Sequence, residues 1–491
     1  MAVQLKLNNL EAIAATVGTP SYDRADLSAG ILHFGIGNFH RAHQASYLDR
    51  LFSKGLGRDW AIVGAGVMEG DRKARDVLAA QDWLTTLVEQ EADHSEARVI
   101  GSMVDYVEPG DAQAIVARLA DPAIRIVSLT VTEGGYFLDS HGEFESSHPA
   151  IAADAANPDA PKTVFGLIIA GLRRRRSDGT PPFTVMSCDN IPHNGKVARN
   201  VIGGLARLSD PAFADWIAEN VAFPNGMVDR ITPATSQRER DLCAREYGIE
   251  DGWPVFCERF TQWVLEDNFP QGRPPLEEVG VQFVPDVTPF ELMKIRILNG
   301  GHAVIAYAAG LLDVHFAHEA MEHPLVSAFL DKVEKEEIIP VVPPVPDTSI
   351  EEYYQLIVQR FANPKIGDTV RRLCLDGSNR QPKFIVPSIR DNLKRGRSVD
   401  GLALESALWC RYCYGETDSG TAIEPNDPSW EQLESRSKLA KDDPMQWLAL
   451  KDVYGETGSD ETFRQSFARW LNMLWERGTA RTLETYLKKG D

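Results

Sequence analysis

The sequence predicts an α/β protein: an N-terminal domain wound around a parallel sheet, followed by a largely α-helical domain. Three observations support this. Short apolar runs of β-type alternate with helical patterns through the first half of the chain. From about Phe290 the pattern becomes helical and stays so. The 491 residues are also too many for one ordinary core. Residues 1–285 are therefore expected to form the first domain and 286–491 the second. The break is placed near Pro285 to Pro289, where a strand-like run, Gly280 to Val284, gives way to the first long helix.

The candidate strands of the first half are Gly30 to Phe34, Trp60 to Val67, Ile124 to Thr132 and Phe183 to Cys188. Each is short, apolar and followed by turn or polar residues. Helical patterns such as Arg41 to Lys54 and Asp111 to Leu119 lie between them. This alternation predicts a parallel sheet covered on both faces. The run Arg173 to Arg176 precedes Ser-Asp-Gly-Thr-Pro-Pro and reads as a solvated helix end, where cations are favoured. In the second half, helices are expected over Phe290 to Leu312, Pro324 to Ile338 and Ile350 to Phe361, with more continuing to Tyr486. The Pro-rich stretch Ile339 to Asp347 reads as a rigid extended loop within them.

Composition narrows the function classes. A net charge of −20 disfavours nucleic acid and anionic membranes as partners, because phosphate binding needs a basic face. No run approaches the ~18 apolar residues of a membrane span. The opening residues lack the apolar core and basic leader of a signal peptide, so the cytoplasm is the expected location. Six cysteines in so long a chain make no disulfide framework. Cys410 and Cys413 have CxxC spacing without a second pair or a redox context, and read as two ordinary thiols on a helix.

The first strand runs into Gly35-Ile-Gly37-Asn-Phe39-His40-Arg41. Gly35 permits a tight turn, and Gly37 lets backbone amides approach a pyrophosphate at a helix start. Gly35, Gly37 and Phe39 are thus candidate cofactor residues of a Rossmann-type domain. His40 stands where the usual fingerprint has a small residue. A plain strand–helix turn is the alternative. The second strand ends at Met68-Glu69-Gly70-Asp71, and either carboxylate suits the adenosine ribose and would repel a 2′-phosphate, favouring NAD. The alternative is that these acids simply open the next helix. The third strand ends at Thr132-Glu133-Gly134-Gly135, which suits a loop over the nicotinamide ribose or a simple turn.

Three common routes to alcohol oxidation lack their residues. The densest histidine cluster, His315, His318 and His323, has no HExxH spacing and no zinc ligand pattern. No tyrosine is followed four residues later by lysine. A lactate-type enzyme would show a firmer GxGxxG. A lysine reading remains. In a straight helix Glu291, Lys294, Asn299 and His302 fall within an arc of roughly 140°. Separate solvated and capped side chains are the alternative. Lys294 and His302 would lie about 12 Å apart along the axis, so irregular geometry is expected near Asn299, with Gly300-Gly301 as the interruption. Two further strings stand out. Ser187-Cys188-Asp189-Asn190 follows the fourth strand, where open α/β sheets place ligands. Phe223 to Pro233 carries Asp229 before Arg230, which also reads as an ordinary ion pair or turn cap.

Taken in order, GIGNFHRAH, TVTEGGY, SCDNIPHNG, FPNGMVDRITP and KIRILNGGH resemble the polyol-specific long-chain dehydrogenase/reductase family over nearly the whole chain, with its mannitol-oxidising branch nearest. The resemblance implies a Rossmann-type domain, a largely α-helical C-terminal domain, a cleft between them, NAD and no metal. It implies Lys294 as catalytic lysine, Asn190 and Asn299 as the amide pair at the reacting oxygen, and His302 as the substrate-positioning histidine. Asp229 becomes a substrate-contacting acid and Glu291 a carboxylate exchanging protons with solvent. Arg372, Arg380 and Lys383 are expected at substrate hydroxyls, and position 380 departs from the lysine of relatives. Asp71 takes the cofactor-selecting position, with Glu69 close by. The expected reaction interconverts D-mannitol and D-fructose. Arabinitol dehydrogenase and fructuronate or tagaturonate reductase share the scaffold. A non-catalytic NAD-binding regulator would need no proton acceptor. The expected partner is a small polyol or ketose, and the chain is compatible with a monomer.

Overall fold

A computed structural model describes residues 2–139 and 142–488. The chain divides into two compact units, Met1–Thr288 and Pro289–Asp491. The first unit is built on five parallel strands, β1 (Ala29–Phe34), β2 (Ala61–Ala65), β3 (Met103–Tyr106), β4 (Ile126–Leu129) and β5 (Thr184–Ser187). Their spatial order is β3-β2-β1-β4-β5, so the order reverses beside β1, where open α/β sheets bind ligands. Ile31 of β1 lies opposite Ile62 of β2 and Ile126 of β4.

Both sheet faces are apolar, which is why these strands read as continuous hydrophobic runs. Ile31, Ile126 and Met186 enter one core cluster, and their neighbours Leu32, Val127 and Val185 enter the other. The strands are shorter than expected: β2 stops at Ala65, β4 at Leu129 and β5 at Ser187. The helix expected from Arg41 begins at Asn38 and is broken at His43 (φ −112°, ψ −92°) before resuming over Gln44–Ser53. Two three-stranded sheets were not anticipated as such. One joins Thr85–Gln90, Ser95–Ile100 and Val255–Glu258; the other joins Gly226–Asp229, Gln262–Glu266 and Gln282–Val284.

The solvated reading of Arg173 to Arg176 is corrected at one position. Arg175 is 1% exposed. It donates to the carbonyls of Leu119 and Pro181, each at 2.7 Å, and to those of Asp121 and Ile124. Its guanidinium satisfies carbonyls of a helix end and two loops that would otherwise be buried without donors.

Among its described residues the second unit is built of helices joined by turns and loops, without a strand. Its central helix, Gly300–Leu311, is buried on nearly every side, as expected for one apolar all round. The segment leading into it is not a straight helix. Thr288–Met293 is α-helical, Lys294–Asn299 is π-helical, and Gly300 is ordinary α-helix (φ −62°, ψ −45°). The irregularity therefore precedes the glycines instead of falling on them. Pro324–Val333 likewise passes into a π-turn, Glu334–Ile338. The Pro-rich stretch opens with a 3-10 turn, Ile339–Val341, before its extended part. No helix among the described residues is long and apolar enough to cross a membrane.

Candidate active site

The loop after β1 is shaped by a close approach. Gly35 has φ +96°, and a Cβ there would lie 2.0 Å from the Thr130 carbonyl oxygen. Only glycine satisfies both conditions. The Thr130 hydroxyl donates to the Gly35 carbonyl at 2.6 Å and so accepts from His33 Nε2 at 2.8 Å, while His33 Nδ1 meets the Ser128 hydroxyl at 2.7 Å. Burial holds the His33 imidazole neutral, with its pKa down to about 3. His40, in the fingerprint's third position, stacks on His33 with centroids 3.6 Å apart, and burial depresses its pKa as well. This stacking is the reason a histidine fits where a small residue is usual. Gly37 starts the helix Asn38–Ala42 with open space before it; its nearest neighbour is 3.8 Å from a Cβ position. Phe39 is half-buried and stacks on His43 at 4.9 Å.

The loops after β4 and β5 are tied together by a residue given no role from sequence. Asp189 accepts from the backbone amides of Val131 (3.1 Å) and Thr132 (2.8 Å) and from the Tyr136 hydroxyl (2.8 Å). Thr132 sits at φ +66°, ψ 164°, costly for a branched residue. The Asp189 clamp offsets that strain and fixes the Thr132–Glu133 turn beside exposed Asn190. Asp229, buried, ends the strand Gly226–Asp229, and the next residue, Arg230, is paired with Glu89.

At the end of β2, Asp71 turns back to accept from the Met68 amide at 2.8 Å and caps the helix Glu69–Ala80. A Cβ on Gly66 would meet its Oδ2 at 2.4 Å. Glu69 occupies the first turn of the same helix and is exposed. The carboxylates thus open the helix, as one sequence reading held, and Glu69 is the more open of the two.

In the second unit Glu291 and Lys294 are both buried, at 5% and 7% exposure, one turn apart where α-helix passes into π-helix. The i→i+5 pattern changes the phase of the helix beyond it, so the arc drawn for a straight helix does not carry over to His302. Asn299 ends the π-turn, and its Oδ1 is buried with no hydrogen-bond partner among the described residues. An unsatisfied buried amide oxygen is costly, and such atoms persist where a ligand satisfies them.

His302 stacks on Phe361, centroids 4.1 Å apart. Burial first, then the charges of Arg372, Arg360 and Arg380, holds its pKa well below the usual imidazole value. His302, Arg372 and Arg380 are therefore brought together. Arg372 is held by the Asp368 carboxylate through two hydrogen bonds, and Arg380 donates to the Leu373 carbonyl at 3.2 Å. Lys383 is exposed and not among the charges acting on His302. Gly301 leaves room for a buried carboxyl: a Cβ there would lie 3.0 Å from Glu334 Oε1 and 3.3 Å from Phe361. The histidines weighed as metal ligands pack differently, His315 and His318 both on the ring of Phe316.

Residues 29–278 match the mannitol dehydrogenase Rossmann domain, and residues 286–475 match the mannitol dehydrogenase C-terminal domain. The mannitol 2-dehydrogenase of Cereibacter sphaeroides is 57% identical over 473 residues, covering 96% of this chain and 99% of that one. This chain belongs to the mannitol dehydrogenase family. A second family relative, the mannitol 2-dehydrogenase of Neosartorya fischeri, is 43% identical over 98% of this chain and 99% of its own length. Among solved structures, Pseudomonas fluorescens mannitol 2-dehydrogenase in ternary complex with NAD and D-mannitol superposes with a TM-score of 0.89 at 45% identity, covering 99% of this chain and 100% of that one. A D-sorbitol dehydrogenase in substrate-free form reaches 0.90 at 36% identity, covering 98% and 100%.

Within this member of the mannitol dehydrogenase family, sequence reasoning missed Asp189, Arg360 and Glu334. Asp189 was legible in principle, as a carboxylate at the C-terminal end of a strand. Arg360 and Glu334 carry no local signal. They lie on helices far along the chain from His302, and only packing brings their side chains to its neighbourhood.

Proposed function

We propose that this protein oxidises D-mannitol at C2 to D-fructose, and catalyses the reverse, with Lys294 as the proton acceptor and without a metal ion. The enzyme class, an NAD-dependent polyol dehydrogenase, comes with the family. The observation that supports the lysine role is a buried Lys294 one turn from a buried Glu291. Burial is what a lysine base requires, because an exposed lysine stays protonated near neutral pH.

The chain's own residues divide the work. Gly35, Gly37 and Phe39 line the cofactor turn, Thr132 and Glu133 form the clamped loop, and Glu69 with Asp71 supplies the acid that selects NAD. The open space before Gly37 and the exposed Glu69 carboxylate fit a dinucleotide. NAD, when bound, supplies the hydride acceptor. Lys294 takes the hydroxyl proton and Glu291 passes it outward. Asn299 and Asn190 donate to the developing alkoxide, each worth about 3 kcal/mol in comparable sites. Neutral His302 orients the substrate through hydrogen bonds, and Asp229, Arg372, Arg380 and Lys383 meet its other hydroxyls. Residues 1–285 form the cofactor domain and 286–491 the substrate domain. The protein works in the cytoplasm as a monomer, which a sizing column checks.

One observation favours a second reading. Three arginine charges act on His302, and guanidinium groups also suit a carboxylate. A uronate reductase would use them so. Following NADH absorbance with chelator present, across mannitol, sorbitol, arabinitol and sugar acids, separates the readings. Chelator-resistant turnover fastest on mannitol supports the first. Activity confined to a uronate selects the second, and loss of activity to chelator overturns the metal-free mechanism.

A further inference from the structure

The helix Gly377–Phe384 carries Arg380 and Lys383, yet little in its own sequence holds it in place. It has only eight residues and contains Pro382. Proline lacks the N–H that would bond back one turn, and so short a helix is marginal alone. Its position must come from tertiary anchors. At the N-terminal end Ser378 donates to Asp427 through its amide (2.8 Å) and its hydroxyl (2.7 Å).

Further anchors come from Tyr307 of the helix Gly300–Leu311, whose hydroxyl would lie 2.7 Å from a Cβ on Gly377, and from the helix Asp400–Tyr412. A Cβ on Gly377 would lie 2.6 Å from Trp409 Nε1, so those two positions are pressed together. One turn along each helix, Gln381 Nε2 donates to Glu405 Oε1 at 2.5 Å. Gly377 and Gln381 are thus matched against Trp409 and Glu405, an i,i+4 pair facing an i,i+4 pair.

Gln381 and Glu405 are 1% and 0% exposed, and Glu405 forms no ion pair among the described residues. Each retains one buried atom without a partner: Oε1 of Gln381 and Oε2 of Glu405. Both leftover atoms are acceptors, on two planar groups already joined through their other atoms. One proton closes the ring. The neighbouring Ser406 hydroxyl interacts with the carboxyl and offsets part of the effect of burial, though no well-aligned hydrogen bond joins the two.

We propose that Glu405 and Gln381 form a closed acid–amide pair, with a proton on Glu405 Oε2 donated to Gln381 Oε1, and that this pair is the positioning element holding Arg380 for substrate. It rests on the proposed contact between Arg380 and the substrate. Burial moves the Glu405 pKa up to about 8. Among the described residues, the titratable groups that feel its charge are Tyr307 of the helix Gly300–Leu311 and Tyr454 of Lys451–Tyr454, both kept neutral by burial. No cation among the described residues acts on the carboxyl to hold it ionised.

Steady-state kinetics and thermal melts of Gln381→Met, Glu405→Gln and Arg380→Ala in the full-length enzyme test this. Gln381→Met should raise KM for fructose about tenfold while kcat and KM for NADH stay within twofold. Glu405→Gln, which can close the same ring without a titrating proton, should keep KM near the native value. Its melting temperature should match the native protein near pH 5 and exceed it by pH 8. The sign follows from the raised pKa: stability present below the unfolded value of ~4.3 is lost as pH rises toward the folded one. A drop in melting temperature for Gln381→Met with KM unchanged overturns the positioning role. If Gln381→Met does not fold, a Glu405→Gln enzyme with raised KM, or with a pH–stability curve parallel to the native one, overturns the proton. An Arg380→Ala enzyme with native KM overturns the site reading, and the positioning role with it.

Discussion

The loops at the ends of β1, β4 and β5 and the π-turn Lys294–Asn299 build candidate sites by opposite means. In the first unit backbone is the working surface. Gly35 is pressed on the Thr130 carbonyl, and Thr132 is held in a strained conformation by Asp189. Side chains there serve mainly to fix amides and carbonyls. In the second unit the backbone is helical and the candidate groups are side chains: buried Glu291 and Lys294, the Asn299 oxygen unpartnered among the described residues, and a neutral histidine among arginines. A dinucleotide phosphate is recognised by peptide dipoles, which any sequence can supply once the path of the chain is right. A proton must be taken by one particular side chain. The first site should therefore fail through geometry and the second through chemistry.

The largest effect expected is at Lys294. Lys294→Ala should lower kcat by about 10³-fold, within the range for a general base, with the NADH dissociation constant unchanged by fluorescence titration. Equal loss of both would make Lys294 structural. Gly35→Ala should do the reverse. Its Cβ meets the Thr130 carbonyl, and positive φ alone costs about 1–2 kcal/mol. NADH binding should weaken at least ~10-fold, with a lower melting temperature. Native NADH affinity in that variant would remove the loop from the cofactor site.

A smaller effect separates the units by pH. The His33 pKa is held near 3 in the folded protein against ~6.5 unfolded. Its contribution is complete above pH ~6.5 and is lost, at about 1.4 kcal/mol per pH unit, as pH falls toward the folded value. His33→Gln should flatten the acid limb of the stability curve between pH 6.5 and 5, and an unaltered slope would place the acid lability elsewhere. The smallest effect is at Asp71. Asp71→Ala removes a helix cap worth about 1 kcal/mol, while Glu69→Gln leaves the cap intact. NADP use rising more in Glu69→Gln would assign the selecting acid to Glu69, and the reverse order would assign it to Asp71.

Legibility followed range along the chain. The strand–turn–helix around Gly35 could be read because its parts are contiguous and glycine there has a local meaning. The motif residues proposed for both sites were picked out for the same reason. Irregular geometry was legible near Asn299, where the π-turn Lys294–Asn299 ends, but its extent was not, since that run has no residue that demands it and Gly300-Gly301 drew the expected interruption toward themselves. Their actual role is room for neighbours, Glu334 and Phe361 behind Gly301. Arg175 looked like one more solvated cation in a basic run. Only the carbonyls of Leu119, Asp121, Ile124 and Pro181, converging from other elements, make it a buried fastener.

By itself the sequence determined the two-part architecture and the parallel sheet, and it singled out the residues proposed to carry the chemistry. Hydrophobic period and turn residues act over a few positions and are written locally. Tertiary structure alone decided which of those groups stay neutral, which are clamped and which face one another. Burial keeps His33 unprotonated and raises the pKa of Glu334 and Glu405, and Asp189, Arg360 and Gln381 owe their partners to segments distant in the chain. Desolvation and hydrogen-bond closure depend on everything packed around an atom, and that is fixed only when the chain has folded.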